Sequence, residues 1–299
     1  MRNRLLEELM KRQLPSGGWP ARMDSRQAGL EASCLAALVA GLRQDARQRV
    51  QHFLLHVQNS NGSWPAFVGD DPDGGWVTSL AVMALGDHVP AVAARRRGFR
   101  WLIDCKGKES HWLWRWKFLT SDRHVCFDPH KYGWPWFPET VSWVVPTSFA
   151  ILALEQLPLP CGRLIHAEER VDRAIEMLID RACPDGGWNA GNGVVYGAPL
   201  APHVDDTAVA LVALAKGKKD PVFERSLKWL ENSTEDFSAP WSLSWAILAL
   251  AAHARPHNSL ERSLRSVPDL LAITDNSTLA LVCLALDCTD SLSAFGVHP

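Results

Sequence analysis

The run ARQRVQHFLLHVQNSNGSWP (46–65), followed at 77–85 by VTSLAVMAL, decides how this chain folds. Its first part spaces apolar residues against charged ones at helical intervals, the pattern of a helix with one wet face. Gly62 ends that helix in the left-handed conformation, and Trp64 packs back on the helix end. The nine residues VTSLAVMAL carry no charge. A helix apolar on nearly all sides is buried on nearly all sides.

This hairpin recurs. Small-residue helices ending in Ala-Leu or a close variant read EASCLAALVAGL (31–42), VTSLAVMAL (77–85), PTSFAILAL (146–154), DTAVALVALA (206–215), SLSWAILAL (242–250) and STLALVCLAL (277–286). Their last leucines are 43, 69, 60, 36 and 36 residues apart, so the basal unit is about 36 residues and the longer intervals hold insertions. The helices between them, such as EERVDRAIEMLIDRA (168–182), are amphipathic. A straight solenoid needs polar capping repeats, but the last inner helix is as apolar as the middle ones. The expected fold is therefore all-α: an (α/α)6 toroid, one barrel domain over 1–299, with an aromatic-rich insertion at about 106–145.

Composition narrows the function. Thirty-one basic and 33 acidic residues leave a net charge of -2, which gives nucleic acid no electrostatic purchase. Seven scattered cysteines form no CxxC pair and point to a reducing compartment, the cytoplasm. Peripheral contact with a membrane stays open. The N-terminus lacks a signal-peptide apolar stretch. Tryptophan is abundant, 14 residues against 2 tyrosines. Trp19, Trp64 and Trp188 of the Gly-x-Trp loops read as structural staples.

Two motifs resemble the terpene cyclases. Gln13-Leu-Pro-Ser-Gly17-Gly-Trp19 and Gln58-Asn-Ser-Asn-Gly62-Ser-Trp64 match the Gln-x3-Gly-x-Trp repeat of that family, whose glutamine ties neighbouring helix ends together. The fourth unit keeps Gly186 and Trp188 but has Ala182 in the glutamine place. Pro202-His203-Val204-Asp205-Asp206-Thr207-Ala208 resembles the Asp-x-Asp-Asp-Thr-Ala motif of squalene-hopene and other class II cyclases. The resemblance implies a proton-initiated cyclase or isomerase of an isoprenoid, with Asp205 as general acid. His203 replaces the first Asp of the motif. Class II cyclases usually carry a second helical barrel, and these 299 residues have room for one.

The chemistry is consistent with this. Protonating an alkene needs a carboxylic acid whose anion is stabilised, and the start of a helix supplies that. His203 is placed to hydrogen-bond Asp205, and Asp206 to cap the helix or share a proton. The alternative for both acids is ordinary helix capping. The carbocation needs aromatic faces. Candidates near the inner-helix starts are Trp76, Trp134, Trp136, Trp143, Trp241 and Trp245, with Tyr132 in the insertion. No cofactor is expected, and Mg²⁺ enters only with a diphosphate substrate. No metal ligand set is expected; Asp70, Asp71 and Asp73 read as a turn. The insertion is either a lid over the mouth or an apolar patch for a partner subunit or membrane surface. Two other functions stay open: a barrel that binds an apolar ligand without reacting it, and a carbohydrate-active barrel with Glu31 and Asp205 as paired carboxylates.

Overall fold

In the computed structural model, residues 1–87, 89–121, 126–157, 164–217, 219–233 and 238–298 are described. Cys161 and residues 122–125 of the insertion lie outside them. Hairpins pair α1 (Arg2–Lys11) with α2 (Leu30–Leu38) and α3 (Gln44–His56) with α4 (Val77–Leu85). The third joins α5 (Val92–Asp104), by way of a short α6 (Trp112–Thr120), to α7 (Val144–Leu154). The rest pair α8 (Leu164–Asp180) with α9 (Val204–Leu214), α10 (Pro221–Ser233) with α11 (Pro240–Ala252), and α12 (Asn258–Ser266) with α13 (Asn276–Ala285). A last helix, α14 (Cys288–Ala294), follows. Alanine, serine and threonine on the inner helices let them approach closely. Each packs on the next, and α13 packs back on α2, which closes the ring. The expected (α/α)6 barrel is what forms.

The only regular strands among the described residues are two-residue hairpin arms, such as β1 (Trp19–Pro20) on β2 (Ala28–Gly29), antiparallel with Trp19 opposite Gly29. Packed against α11 and α13, α14 closes the end of the barrel where the inner helices finish. Among the described residues, no single helix is long and apolar enough to cross a membrane.

One device recurs at the opposite end. The indole N–H of Trp19 donates to Leu9 O, Trp64 to Leu54 O and Trp188 to Leu178 O, each ten residues back. The backbone N–H of each donates to a hydroxyl on the following inner helix: Ser33, Thr78 and Thr207. Both orphan groups of a buried indole loop are thereby satisfied. Gln13 and Gln58 tie these loops to the next outer helix, donating to Gly17 O and Ala46 O, and to Gly62 O and Ala94 O, all at 2.8–2.9 Å. Gly62 is obligatory on two counts. Its φ is +95°, and a Cβ there would stand 2.8 Å from Arg97 O.

Trp134 completes the set. It was expected at the mouth, but its indole donates to Leu102 O at 2.8 Å and its backbone N–H to the Thr147 hydroxyl at 3.0 Å. It is the third repeat's staple. Here the indole reaches back 32 residues instead of ten, and the difference of 22 residues measures the inserted chain. Arg170 of α8 supplies the missing glutamine tie. It stacks 4.0 Å over the Trp134 ring and donates to Cys105 O and Gly133 O. Tyr132 also turns away from the mouth. Its buried ring lies against the guanidinium groups of Arg170 and Arg173 on the outer wall.

Candidate functional site

The staples fix the register of the barrel's open end. Two residues before each staple hydroxyl stand Glu31 on α2, Trp76 at the cap of α4, Val145 on α7 and Asp205 on α9. Glu31, Val145 and Asp205 are each the second residue past the helix cap, as is Trp241 on α11. This position faces the lumen. The Trp76 ring stacks on Phe149 of α7 at 5.8 Å, and Trp241 meets Trp245 one turn below it at 6.2 Å. The ring order of the helices sets Glu31 opposite Asp205 and Trp76 opposite Trp241.

Below this rim the lumen has an aromatic floor. Phe149 on α7 and Trp245 on α11 touch at 5.8 Å although α9 stands between their helices, so the contact is made inside the barrel. Both lie four residues past the rim positions 145 and 241, about 6 Å below the rim at 1.5 Å per residue. Phe295, just past α14, meets Trp245 at 5.9 Å from the closed end. Trp136 on the rim loop meets Trp76 edge-on at 5.1 Å. Four expected aromatics therefore join one cluster: Trp76, Trp136, Trp241 and Trp245. Phe149 and Phe295 are further members that sequence reading missed. Trp143, at the cap of α7, packs over Gly191 instead.

Two polar atoms in this region are buried without a hydrogen-bond partner: Asp205 Oδ1 and the Trp245 indole nitrogen. Such groups are costly to leave unpaired. His203 does not bind Asp205 as expected. Its Nδ1 lies 2.9 Å from Asp206 Oδ2, because residues three apart at a helix start share a face. Asp206 makes no capping bond; the cap residue of α9 is His203. Burial pushes the Asp206 carboxyl above the usual carboxylate range, the His203 contact pulls it back, and Asp205 adds to the rise.

Glu31 and Asp275 form the other acidic pair, on adjacent helices α2 and α13. Asp275 caps α13, accepting from the Thr278 backbone N–H at 2.7 Å and its hydroxyl at 2.6 Å. Burial, with the nearby Asp275, raises the Glu31 carboxyl from 4.5 to about 7. A raised folded value means that the protonated form is favoured by folding. Its contribution is complete below about pH 4.5 and is lost as pH rises through about 7. The full shift corresponds to about 3 kcal/mol. Glu31→Gln, a neutral isostere, is therefore expected to raise the melting temperature at pH 8 by several degrees and to change it little at pH 5. Melting curves at the two pH values check this; an equal shift at both would show that charge is not the cause.

The inserted segment is anchored at its root. Glu109 and Arg181 form a buried ion pair at 3.0 Å, and both Glu109 oxygens accept from the Ser142 backbone N–H. Beyond this root, α6 buries none of its residues. Trp114 and Phe118 turn inward toward Phe127, while Trp112, Leu113, Trp116 and Leu119 are 70%, 48%, 59% and 50% exposed. A cleft of 570 Å³ at the start of α6 is lined by Trp101, Lys108, His111, Trp114, Pro138 and Glu139, among others.

No family model matches the chain. An uncharacterised protein of Bradyrhizobium diazoefficiens is 30% identical over 122 residues, which span 40% of this chain and 19% of that protein. Solved structures are similar over nearly the whole barrel. An α-amylase from Clostridium perfringens superposes with a TM-score of 0.64 at 10% identity, covering 99% of this chain and 97% of its own. A variant of the type II terpene cyclase MstE from Scytonema, in complex with its product merosterolic acid A, gives 0.61 at 12% identity, covering 97% and 96%. The ent-copalyl diphosphate synthase of Streptomyces platensis gives 0.52 at 16% identity, covering 89% of this chain and 49% of that enzyme. The chain has the closed helical barrel fold that class II terpene cyclases share with this amylase.

Proposed function

We propose that this chain is a terpene cyclase-like enzyme that starts the cyclisation or isomerisation of an isoprenoid by protonation, with Asp205 as the acid. The observation that carries this reading is the buried, unpartnered Asp205 Oδ1 on the lumen side of the rim. A proton on that oxygen has no protein acceptor competing for it. Transfer to an alkene carbon forms a C–H bond, breaks the π bond and leaves a carbocation and the Asp205 carboxylate. The start of α9 stabilises that carboxylate. The faces of Trp76 and Trp241, on opposite walls, and of Trp136 stabilise the cation. Loss of a proton from a neighbouring carbon ends the sequence and can restore the acid. Asp206, held by His203, sets the electrostatics beside Asp205. Proton initiation needs no metal, and a diphosphate-bearing substrate would bring Mg²⁺ with it.

The test is incubation with a panel of polyprenols, aryl polyprenyl compounds and their epoxides. A rearranged product keeps the substrate's mass and changes its retention time. Product formation by the wild type, lost in Asp205→Asn, is expected. Undiminished turnover in Asp205→Asn sinks the mechanism, and recovery of bound but unchanged ligand makes the barrel a binding module.

Carbohydrate hydrolysis is a second reading, favoured by one observation. Glu31 holds a proton near neutrality beside Asp275, and a carboxylic acid paired with a second carboxyl is what glycoside hydrolysis requires. It predicts sugar release that Glu31→Gln abolishes and Asp205→Asn spares.

The reading extends to α6, which we infer docks on an anionic membrane surface. On a helical wheel, Trp112, Trp116 and Leu119 form one face, with Leu113 at its edge, and Arg115 and Lys117 flank it. No acidic residue lies in α6, and Glu109 is buried in its ion pair. Tryptophan between cations is the composition of an interfacial helix. The two tryptophans and two leucines offer about 500 Å², short of the roughly 800 Å² per partner of a stable protein interface. Sedimentation with phosphatidylserine vesicles checks this. Trp112→Ala with Trp116→Ala is expected to weaken binding at least about 10-fold. Unchanged binding, or a wild-type dimer lost in the variant, overturns it.

A further inference from the structure

At the closed end of the barrel, three side chains converge that the mouth chemistry does not use. His257 caps α12, Glu261 stands one turn into that helix, and Cys288 opens α14. His257 Nε2 lies 3.6 Å from Cys288 Sγ and 3.6 Å from Glu261 Oε1, and the three atoms all lie within 4.8 Å of one another. The tautomer follows from the other ring nitrogen. Nδ1 is 2.9 Å from Arg255 O, and a carbonyl only accepts, so Nδ1 carries the hydrogen. Nε2 is left with its lone pair toward the sulfur and the carboxylate. A backbone carbonyl fixing the ring in this way is the usual outer support of a metal-bound histidine.

The spacing suits a particular ion. Bonds of about 2.0–2.1 Å to nitrogen and oxygen and about 2.3 Å to sulfur, at tetrahedral angles, put ligand atoms about 3.3–3.6 Å apart. The two distances from Nε2 lie at the upper edge of that range. One nitrogen, one sulfur and one oxygen make a borderline-soft set, unsuited to Ca²⁺ or Mg²⁺. We propose that His257, Glu261 and Cys288 bind a divalent zinc-type ion, with the fourth position open to water. His257 and Glu261 are partly exposed, which leaves a path for the ion. The Arg265 guanidinium, 3.7 Å from the other Glu261 oxygen, offsets the charge of that carboxylate. Binding requires the Cys288 thiol to lose its proton, so uptake releases one proton.

The ion would clamp α12 to α14, the helix that leads into Phe295 beneath Trp245. The proposed role is to hold these helices together, and its test does not depend on the proposed reaction. The full chain, stripped with a chelator, is titrated with Co²⁺ and then Zn²⁺. One equivalent of Co²⁺ with thiolate charge-transfer absorption is expected, displaced by Zn²⁺, with a rise in melting temperature. Cys288→Ser and His257→Ala are each expected to weaken Zn²⁺ binding at least about 100-fold and to abolish the rise. Cys126→Ser, which removes an exposed thiol elsewhere, is expected to leave both intact. Charge-transfer absorption that persists in Cys288→Ser, or that disappears in Cys126→Ser, overturns the site, as does an absence of Co²⁺ absorption in the folded wild type.

Discussion

Asp205→Asn is expected to lower turnover about 10³-fold or more while moving the melting temperature by no more than about 2 °C. General acid catalysis contributes typically 10²–10⁴-fold. Here the proton transfer starts the sequence, so the amide, which has no acidic proton to give, forfeits the whole contribution. Stability is spared because Asp205 Oδ1 bonds to nothing that the substitution would orphan. Asparagine is also tolerated in the first turn of a helix. Asp206→Asn is the informative contrast. It removes the partner of His203 and takes away a carboxyl that stands next to Asp205, so a partial loss of rate with an altered pH profile is expected. Rate measurements on the two variants, with melting curves beside them, separate an acid from a structural cap. A cap would show the reverse pattern, with stability falling and rate following it.

Glu109→Ala is expected to destabilise the fold by about 3–5 kcal/mol, the cost of leaving a buried charge without its partner. Glu109 is 0% exposed and Arg181 2%. Removing the carboxylate leaves a guanidinium, whose charged form burial disfavours and whose Nε already lacks a partner, with its hydrogen bond to the Ser142 carbonyl at 2.7 Å. It also strips the Ser142 backbone N–H of its acceptor. The melting temperature should fall by roughly 10 °C. Replacing both partners with methionine should recover part of the loss, because a buried ion pair exchanged for apolar groups is often neutral. Denaturant melts of the single and double variants test this. A loss below about 1 kcal/mol for Glu109→Ala would mean that water reaches the pair.

The barrel was legible because its repeat is written in residue types that the backbone demands. Glycine at positive φ, tryptophan ten residues past an outer-helix carbonyl and an uncharged small-residue helix each have one physical use here. Part of that signal was present for Trp134, in Gly133, where a Cβ would run into the Thr147 hydroxyl, and in Thr147 itself, but the inserted chain hid the spacing. Tyr132 was misplaced for the same reason. Asp205 could be located from its motif, whereas the partner of His203 depends on which face three-residue spacing selects. Phe149 looked like ordinary core, and only the contact across the lumen distinguishes it. The His257, Glu261 and Cys288 group had no local signature, because its members come together only when α14 folds back under the barrel.

The staple hydroxyls have one more consequence. Each rim residue is placed by its own hairpin, through a bond from a tryptophan backbone to a hydroxyl two residues on. The rim is thus a set of independently addressed seats around a fixed wall. Chemistry can be moved from seat to seat, an acid at 145 in place of valine or an indole at 205 in place of the carboxylate, without rewriting any of the contacts that hold the wall together.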